Sequence, residues 1–259
     1  KKTGELILDG QVRIDRDQTT LFANHVVYYE KDRQAVARDG VRIIDTEEGI
    51  TLTGTDGRYY HRTRYAIVTG SPRLTRTRDE EDVIITGKRL EYFFADSDSA
   101  RRAVVHDSVT VTDLSERITV TCDRVDYSRE PEQALITGSP RLVKQQADAE
   151  ENIVVTGESM VYAFAEKHAD VYDSVTITRG ALQGVCDTLS YDREQAHLTG
   201  HPLLREGNND IQGDDILLTL TEDTISQAVV TGHAKATYAP EDSAKAPQNG
   251  AALQKSTIE

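Results

Sequence analysis

The feature that most constrains this chain is that it repeats itself. Thr-Gly-Ser-Pro stands at Thr69 to Pro72 and again at Thr137 to Pro140; Thr199-Gly200-His201-Pro202 is a third copy, and Thr231-Gly232-His233 is a fourth without the proline. Looser versions fill the intervals: Gly10-Gln11-Val12, Asp39-Gly40-Val41, Asp107-Ser108-Val109 and Asp173-Ser174-Val175. Anchored at positions 10, 39, 70, 107, 138, 173, 200 and 232, the spacing runs from 27 to 37 residues and averages about 32, a period that marks a repeat architecture. The expected organisation is one array over residues 1–238, followed by a tail, 239–259, rich in Ala, Pro, Ser and Lys and expected to be disordered.

A second motif, small-x-x-apolar-x-aromatic, interleaves with the first: Ala23…Val26…Tyr28, Gly87…Leu90…Tyr92, Cys122…Val125…Tyr127, Gly157…Met160…Tyr162 and Cys186…Leu189…Tyr191. Gly54…Gly57…Tyr59 and Gly213…Ile216…Leu218 are weaker members. Around each anchor of the first motif the even offsets are apolar (Ala103, Val105, Val109 and Val111, for example) and the odd ones mostly polar. That is the strand period, and no 3.6-residue stripe competes with it. Gly or Asp at the centre of so long a strand predicts a bend, and the proline two residues later limits pairing there. In the second motif the parity slips once after the small residue: Val83, Ile85 and Gly87 share a face that Leu90, Tyr92 and Phe94 continue. One extra residue predicts a β-bulge in these strands.

The fold class expected is therefore all-β: an elongated stack of about fifteen bent, mostly antiparallel strands in two facing sheets, built from the repeats. A closed barrel is disfavoured, because repeats of fixed register stack linearly. One narrow apolar seam suits a composition with 37 % hydrophobic residues, no Trp, four Phe and one Met. A formal charge of -14 argues against a nucleic-acid partner, which needs a basic face. No run of about 18 apolar residues is present to form a transmembrane helix.

Candidate chemistry is sparse. Cys122 and Cys186 occupy the small-residue column two repeats apart, about 19 Å in a linear stack and beyond the roughly 7 Å that a disulfide spans; both are expected to be free, buried thiols. The seven histidines show no metal-ligand spacing, so no metal or cofactor is expected. No nucleophile elbow, phosphate loop or isolated carboxylate pair is present, and an enzyme is not expected. The +3 position of the first motif holds Arg13, Arg42, Arg73, Arg141 and Lys235. This basic column would meet the phosphates of an amphiphile, or it pairs with neighbouring carboxylates across strands.

The runs Gly200-His201-Pro202-Leu203-Leu204, Asp210-Ile211-Gln212-Gly213-Asp214-Asp215-Ile216 and Gln227-Ala228-Val229-Val230-Thr231-Gly232 resemble the repeat of the OstA-like family of lipopolysaccharide-transport proteins, which includes LptA, LptC and the periplasmic domain of LptD. The resemblance extends over roughly Leu6 to Tyr238. It implies that the two sheets form an elongated open β-jellyroll in the periplasm, its signal peptide removed, whose groove carries the acyl chains of lipopolysaccharide or a related glycolipid toward the outer membrane. On that reading Val68, Leu74, Val105, Val109, Ile136, Leu142, Val171, Ile177 and Leu198 line the lipid path. The partners implied are LptC-like and LptD-like jellyrolls joined by edge-strand pairing, with head-to-tail self-association as a further expectation. The alternative from another class is a structural or adhesive β-solenoid with a dry interior and partners on its exterior.

Overall fold

The computed structural model describes residues 4–16, 18–78, 81–94, 101–148, 151–221 and 224–238; the expected tail, 239–259, lies outside them. The chain divides into two compact units, Lys1–Gly138 and Ser139–Glu259. Unit 1 contains β1 (Glu5–Arg16), β2 (Thr19–Tyr29), β3 (Gln34–Arg38), β4 (Val41–Asp45), β5 (Ile50–Gly54), β6 (Asp56–Tyr60), β7 (Tyr65–Thr69), β8 (Arg73–Arg78), β9 (Glu81–Thr86), β10 (Arg89–Phe93), β11 (Arg102–Asp113), β12 (Ile118–Ser128) and β13 (Gln133–Thr137). Unit 2 contains β14 (Arg141–Lys144), β15 (Ile153–Thr156), β16 (Ser159–Ala163), β17 (His168–Arg179), β18 (Leu182–Tyr191), β19 (Gln195–Thr199), β20 (Leu203–Glu206), β21 (Asn209–Gln212), β22 (Asp215–Thr221), β23 (Thr224–Thr231) and β24 (Lys235–Thr237).

The 24 strands among the described residues are the fifteen bent strands of the repeat pattern. Six of them (β1, β2, β11, β12, β17 and β18) run through their bends unbroken, and nine are interrupted there and counted as two. Each bent strand gives one half to each of two ladders. In unit 1 the first ladder joins the N-terminal half of β1 to the C-terminal half of β2, then β3, β6, β7, β10, and the facing halves of β11 and β12, ending on β13. The second joins the other halves of β1 and β2 to β4, β5, β8, β9, β11 and β12. Unit 2 repeats the plan, with β16, β17, β18, β19, β22 and β23 in one ladder and β14, β15, β17, β18, β20, β21 and β24 in the other. All these pairings are antiparallel.

The bends have one cause. At each of the eight anchors two consecutive residues have positive φ: Gly10 and Gln11, Asp39 and Gly40, Gly70 and Ser71, Asp107 and Ser108, Gly138 and Ser139, Asp173 and Ser174, Gly200 and His201, Gly232 and His233. Gly and Asp tolerate this region best, which accounts for the alternation of the two at the first position of the later anchors. In β11 the register passes from His106↔Arg124 to Val109↔Cys122, so Asp107 and Ser108 oppose Asp123 alone. The same two-against-one step occurs at Gly10-Gln11 and at Asp173-Ser174. The extra residue therefore lies in the first-motif strand, and this corrects the bulge expected in the second. The side-chain parity slips in the second strand because that strand turns the corner with one residue where its partner uses a left-handed pair.

The small-residue column follows from close approach. A Cβ on Gly87 would lie 2.6 Å from Val105 Cγ1 and 2.9 Å from the His106 carbonyl oxygen. The next amide, Lys88 N–H, donates to both His106 O (2.9 Å) and Asp107 O (3.2 Å). Glu158 N–H bridges Tyr172 O and Asp173 O in the same way in unit 2.

Candidate functional site

The inner face of the first ladder in unit 1 is built from two rows that the antiparallel register aligns. One reads Val26, Ala37, Gly57, Val68, Leu90, Val105, Val125, Ile136; the other reads Tyr28, Ala35, Tyr59, Ala66, Tyr92, Ala103, Tyr127, Ala134. The second row alternates large and small, so each ring covers its alanine neighbours. The first row is uniformly branched except at Ala37 and Gly57. A cavity of about 280 Å³ borders both of these residues.

Its walls are Ile14, Leu21, Tyr28, Ala35, Ala37, Val41, Ile43, Gly57 and Phe94, contributed by β1, β2, β3, β4, β6 and the residue after β10. A Cβ on Gly57 would stand 3.0 Å from Val41 Cγ1 of the opposing ladder, so even here the two ladders are in contact. The mouth lies at the turn edge, among Arg16, Gln18, Tyr59, His61 and Arg64. Arg16 Nη1 is 3.3 Å from His61 Nε2 and donates to Tyr59 Oη at 3.4 Å.

On the β4 side the cavity stops at Asp45, Glu47, Phe94 and Arg101. Asp45 is 6 % exposed. Its Oδ1 accepts the amides of Glu47 (3.2 Å) and Glu48 (3.3 Å), and its Oδ2 accepts the hydroxyl of Tyr92 (3.4 Å). Burial raises its carboxyl above the ordinary value despite those bonds and the nearby Arg101. Burial first, and the Asp45 and Glu48 charges next, push the Tyr92 phenol up as well.

Over this end lies a lattice of ion pairs between turns of the two ladders. Arg101, ahead of β11, pairs with Glu47 at 2.7 Å and with Glu48. Arg129 Nε lies 3.0 Å from Glu48 Oε2, and Arg129 Nη1 lies 3.5 Å from Glu132 Oε2. Glu132 also pairs with Arg76 of β8, whose guanidinium sits 5.8 Å above the Tyr127 ring. These side chains are 10–26 % exposed apart from Glu47, at 54 %. Beyond the lattice the seam is filled: Leu52, Val68, Leu90, Tyr92, Val105, Val109 and Val125 are each at most 2 % exposed.

Of the residues expected to line a lipid path, Val68, Leu74, Val105, Val109 and Ile136 are buried in this filled stretch of unit 1, and none of them borders the cavity. In unit 2 Val171 and Leu198 are buried, while Leu142 and Ile177 are half-buried. The basic column is exposed: Arg13, Arg42, Arg73, Arg141 and Lys235 alternate with the buried stripe and so occupy the outer face. Arg13 Nε lies 3.0 Å from Asp15 and its guanidinium lies 5.7 Å over Phe22, and Arg73 donates to Thr75 at 3.3 Å. The basic groups at the cavity are Arg16, Arg58, His61, Arg64 and Arg101; all but Arg58 of β6 stand in turns and at strand ends, where a column of repeat offsets does not look. The cavity itself had a signal. Gly57 occupies the apolar position of the second motif and is the reason that copy is weak.

Cys122 and Cys186 are free and buried, and burial pushes each thiol up to about 11. Most of the histidines pair with carboxylates, such as His233 with Asp214 at 3.0 Å and His197 with Asp215 at 3.3 Å. Among the described residues no group of three or more His, Cys, Asp or Glu side chains is placed to share a metal ion, and no helix is long and apolar enough to cross a membrane.

No family model and no curated protein matches the chain. Among solved structures, LptH of Pseudomonas aeruginosa, the LptA-homologous periplasmic component of lipopolysaccharide transport, aligns at a TM-score of 0.38 with 12 % identity, over 61 % of this chain and 95 % of its own. At that TM-score the likeness carries no argument about this chain.

Proposed function

We propose that the chain is a non-catalytic periplasmic lipid carrier that takes acyl chains of lipopolysaccharide or a related glycolipid between its two ladders and hands them on toward the outer membrane. The observation that carries this reading is the cavity of unit 1, with apolar walls and a polar, basic mouth, the composition expected of a site for an amphiphile. A photo-crosslinking residue at Ile43, on the cavity wall, is expected to capture lipopolysaccharide, and one at the adjacent outward Arg42 is not. Equal labelling at the two positions would reject the reading. Handover to LptC-like or LptD-like jellyrolls would use the free edge of β1, which pairs only with β2 among the described residues.

A second reading is favoured by one observation. The interior between β5 and β12 is filled and bridged by the ion lattice, as a structural solenoid with a dry core would be. Under it, purified protein shows no lipid adduct by native mass spectrometry and takes up none that is added.

A further inference from the structure

We infer that the cavity of unit 1 is a site for one acyl chain bearing an anionic head, the chain lying along Ala37, Val41 and Ile43 and the head held at the mouth by Arg16, His61 and Arg64. This rests on the lipid-binding reading and narrows it from a many-chained glycolipid to a single-chain carboxylate or phosphate amphiphile.

Volume sets the number of chains. An apolar cavity of about 150 Å³ accommodates benzene. The 280 Å³ here is about twice that, room for roughly a dozen carbons by the same measure and far too little for several chains side by side. The ion lattice and the Asp45–Tyr92 contact close the β4 side, so the site is blind in that direction.

Charge sets the head. The protein carries -14 overall, yet Arg16, His61 and Arg64 all line the cavity, with Arg16 Nη1 3.3 Å from His61 Nε2. Arg16 is exposed and contacts an imidazole and a phenol. A phosphate or carboxylate oxygen accepts from guanidinium and from imidazole alike, in charge-assisted hydrogen bonds. Asp45 and Glu47 also line the cavity, and there Arg101 already pairs with Glu47 and Glu48.

The test is calorimetric titration of the whole chain, below micelle concentrations, with dodecyl phosphate, a neutral dodecyl ether of the same chain length, and inorganic phosphate. One dodecyl phosphate per chain is expected, bound at least about tenfold tighter than the ether, with inorganic phosphate silent. Arg16→Gln and His61→Gln each bring the phosphate amphiphile toward the ether and leave the ether unchanged. Leu21→Trp fills the cavity and abolishes both, and Ala37→Leu does the same should the tryptophan prevent folding. Equal affinity for ether and phosphate, several chains per protein, no effect of the filling variants, or inorganic phosphate binding as well as the amphiphile would each overturn the inference. Crosslinking of lipopolysaccharide at Ile43 separates the two proposals: if it persists while the amphiphile pattern fails, only this inference falls, and if both fail the carrier reading falls as well.

Discussion

At Gly70 two demands fall on one residue. Its φ is +74°, and a Cβ there would press on Thr55, with Oγ1 at 2.5 Å and the backbone nitrogen at 3.2 Å. Gly40, the second residue of the previous anchor and so the counterpart of Ser71, stands at φ +90° but has nothing within 4 Å of a new Cβ. Gly40→Ala is thus expected to cost about 1–2 kcal/mol, the left-handed penalty alone, and Gly70→Ala about 1–3 kcal/mol more; urea denaturation midpoints measure the difference. The buried thiols make a second prediction. Cys122 and Cys186 stay protonated in the fold to about pH 11, against an ordinary value of 9.0. Their contribution to stability is whole below 9 and is lost as pH rises through about 11. At pH 8 the native protein should react slowly with a thiol reagent, and urea should release two fast-reacting thiols. Asp45 runs the same way at acid pH. Its folded carboxyl is raised, so the stability it contributes is present below about 3.8 and is lost as pH rises through the folded value. Asp45→Asn should therefore raise the melting temperature at pH 7 and confer no advantage at pH 3.

The element that matters most is the bent strand, and its two halves were legible to different degrees. Alternating apolar residues on both sides of an anchor identify a strand crossing from one ladder to the other, because the period of two survives the bend in the first motif. Which strand carries the bulge was not legible, since a parity slip reports where side chains turn and says nothing of which backbone has the extra residue. The ion lattice was also invisible beforehand. Glu47, Glu48, Arg76, Arg101, Arg129 and Glu132 lie in or beside turns at no fixed offset, and only the closing of the ladders brings them together. Glu48, 10 % exposed between Arg101 and Arg129, is its centre. Glu48→Gln is expected to lower stability by about 1–3 kcal/mol, because it leaves partly buried guanidiniums short of a counter-charge. Asp15→Asn, which removes the partner of exposed Arg13, should cause no comparable loss in the same thermal scan.

For the molecule as a whole, the exposed edge of β1 carries Leu6 and Ile7, 55 % and 54 % exposed. An unpaired apolar edge is a template for another strand. Ile7→Lys is expected to reduce concentration-dependent association in light scattering; association that persists unchanged would place the contact elsewhere. The sequence by itself determined the all-β class, the fifteen bent strands, the positions of the bends and the residues that face inward. Each follows from local rules, namely side-chain alternation and the left-handed tolerance of Gly and Asp, repeated often enough to be read without knowing the neighbours. The tertiary structure alone decided where the seam is empty and where it is filled. That depends on which residues of distant strands share a row, and a stripe of apolar residues looks the same in either case until register sets Ala37 beside Gly57.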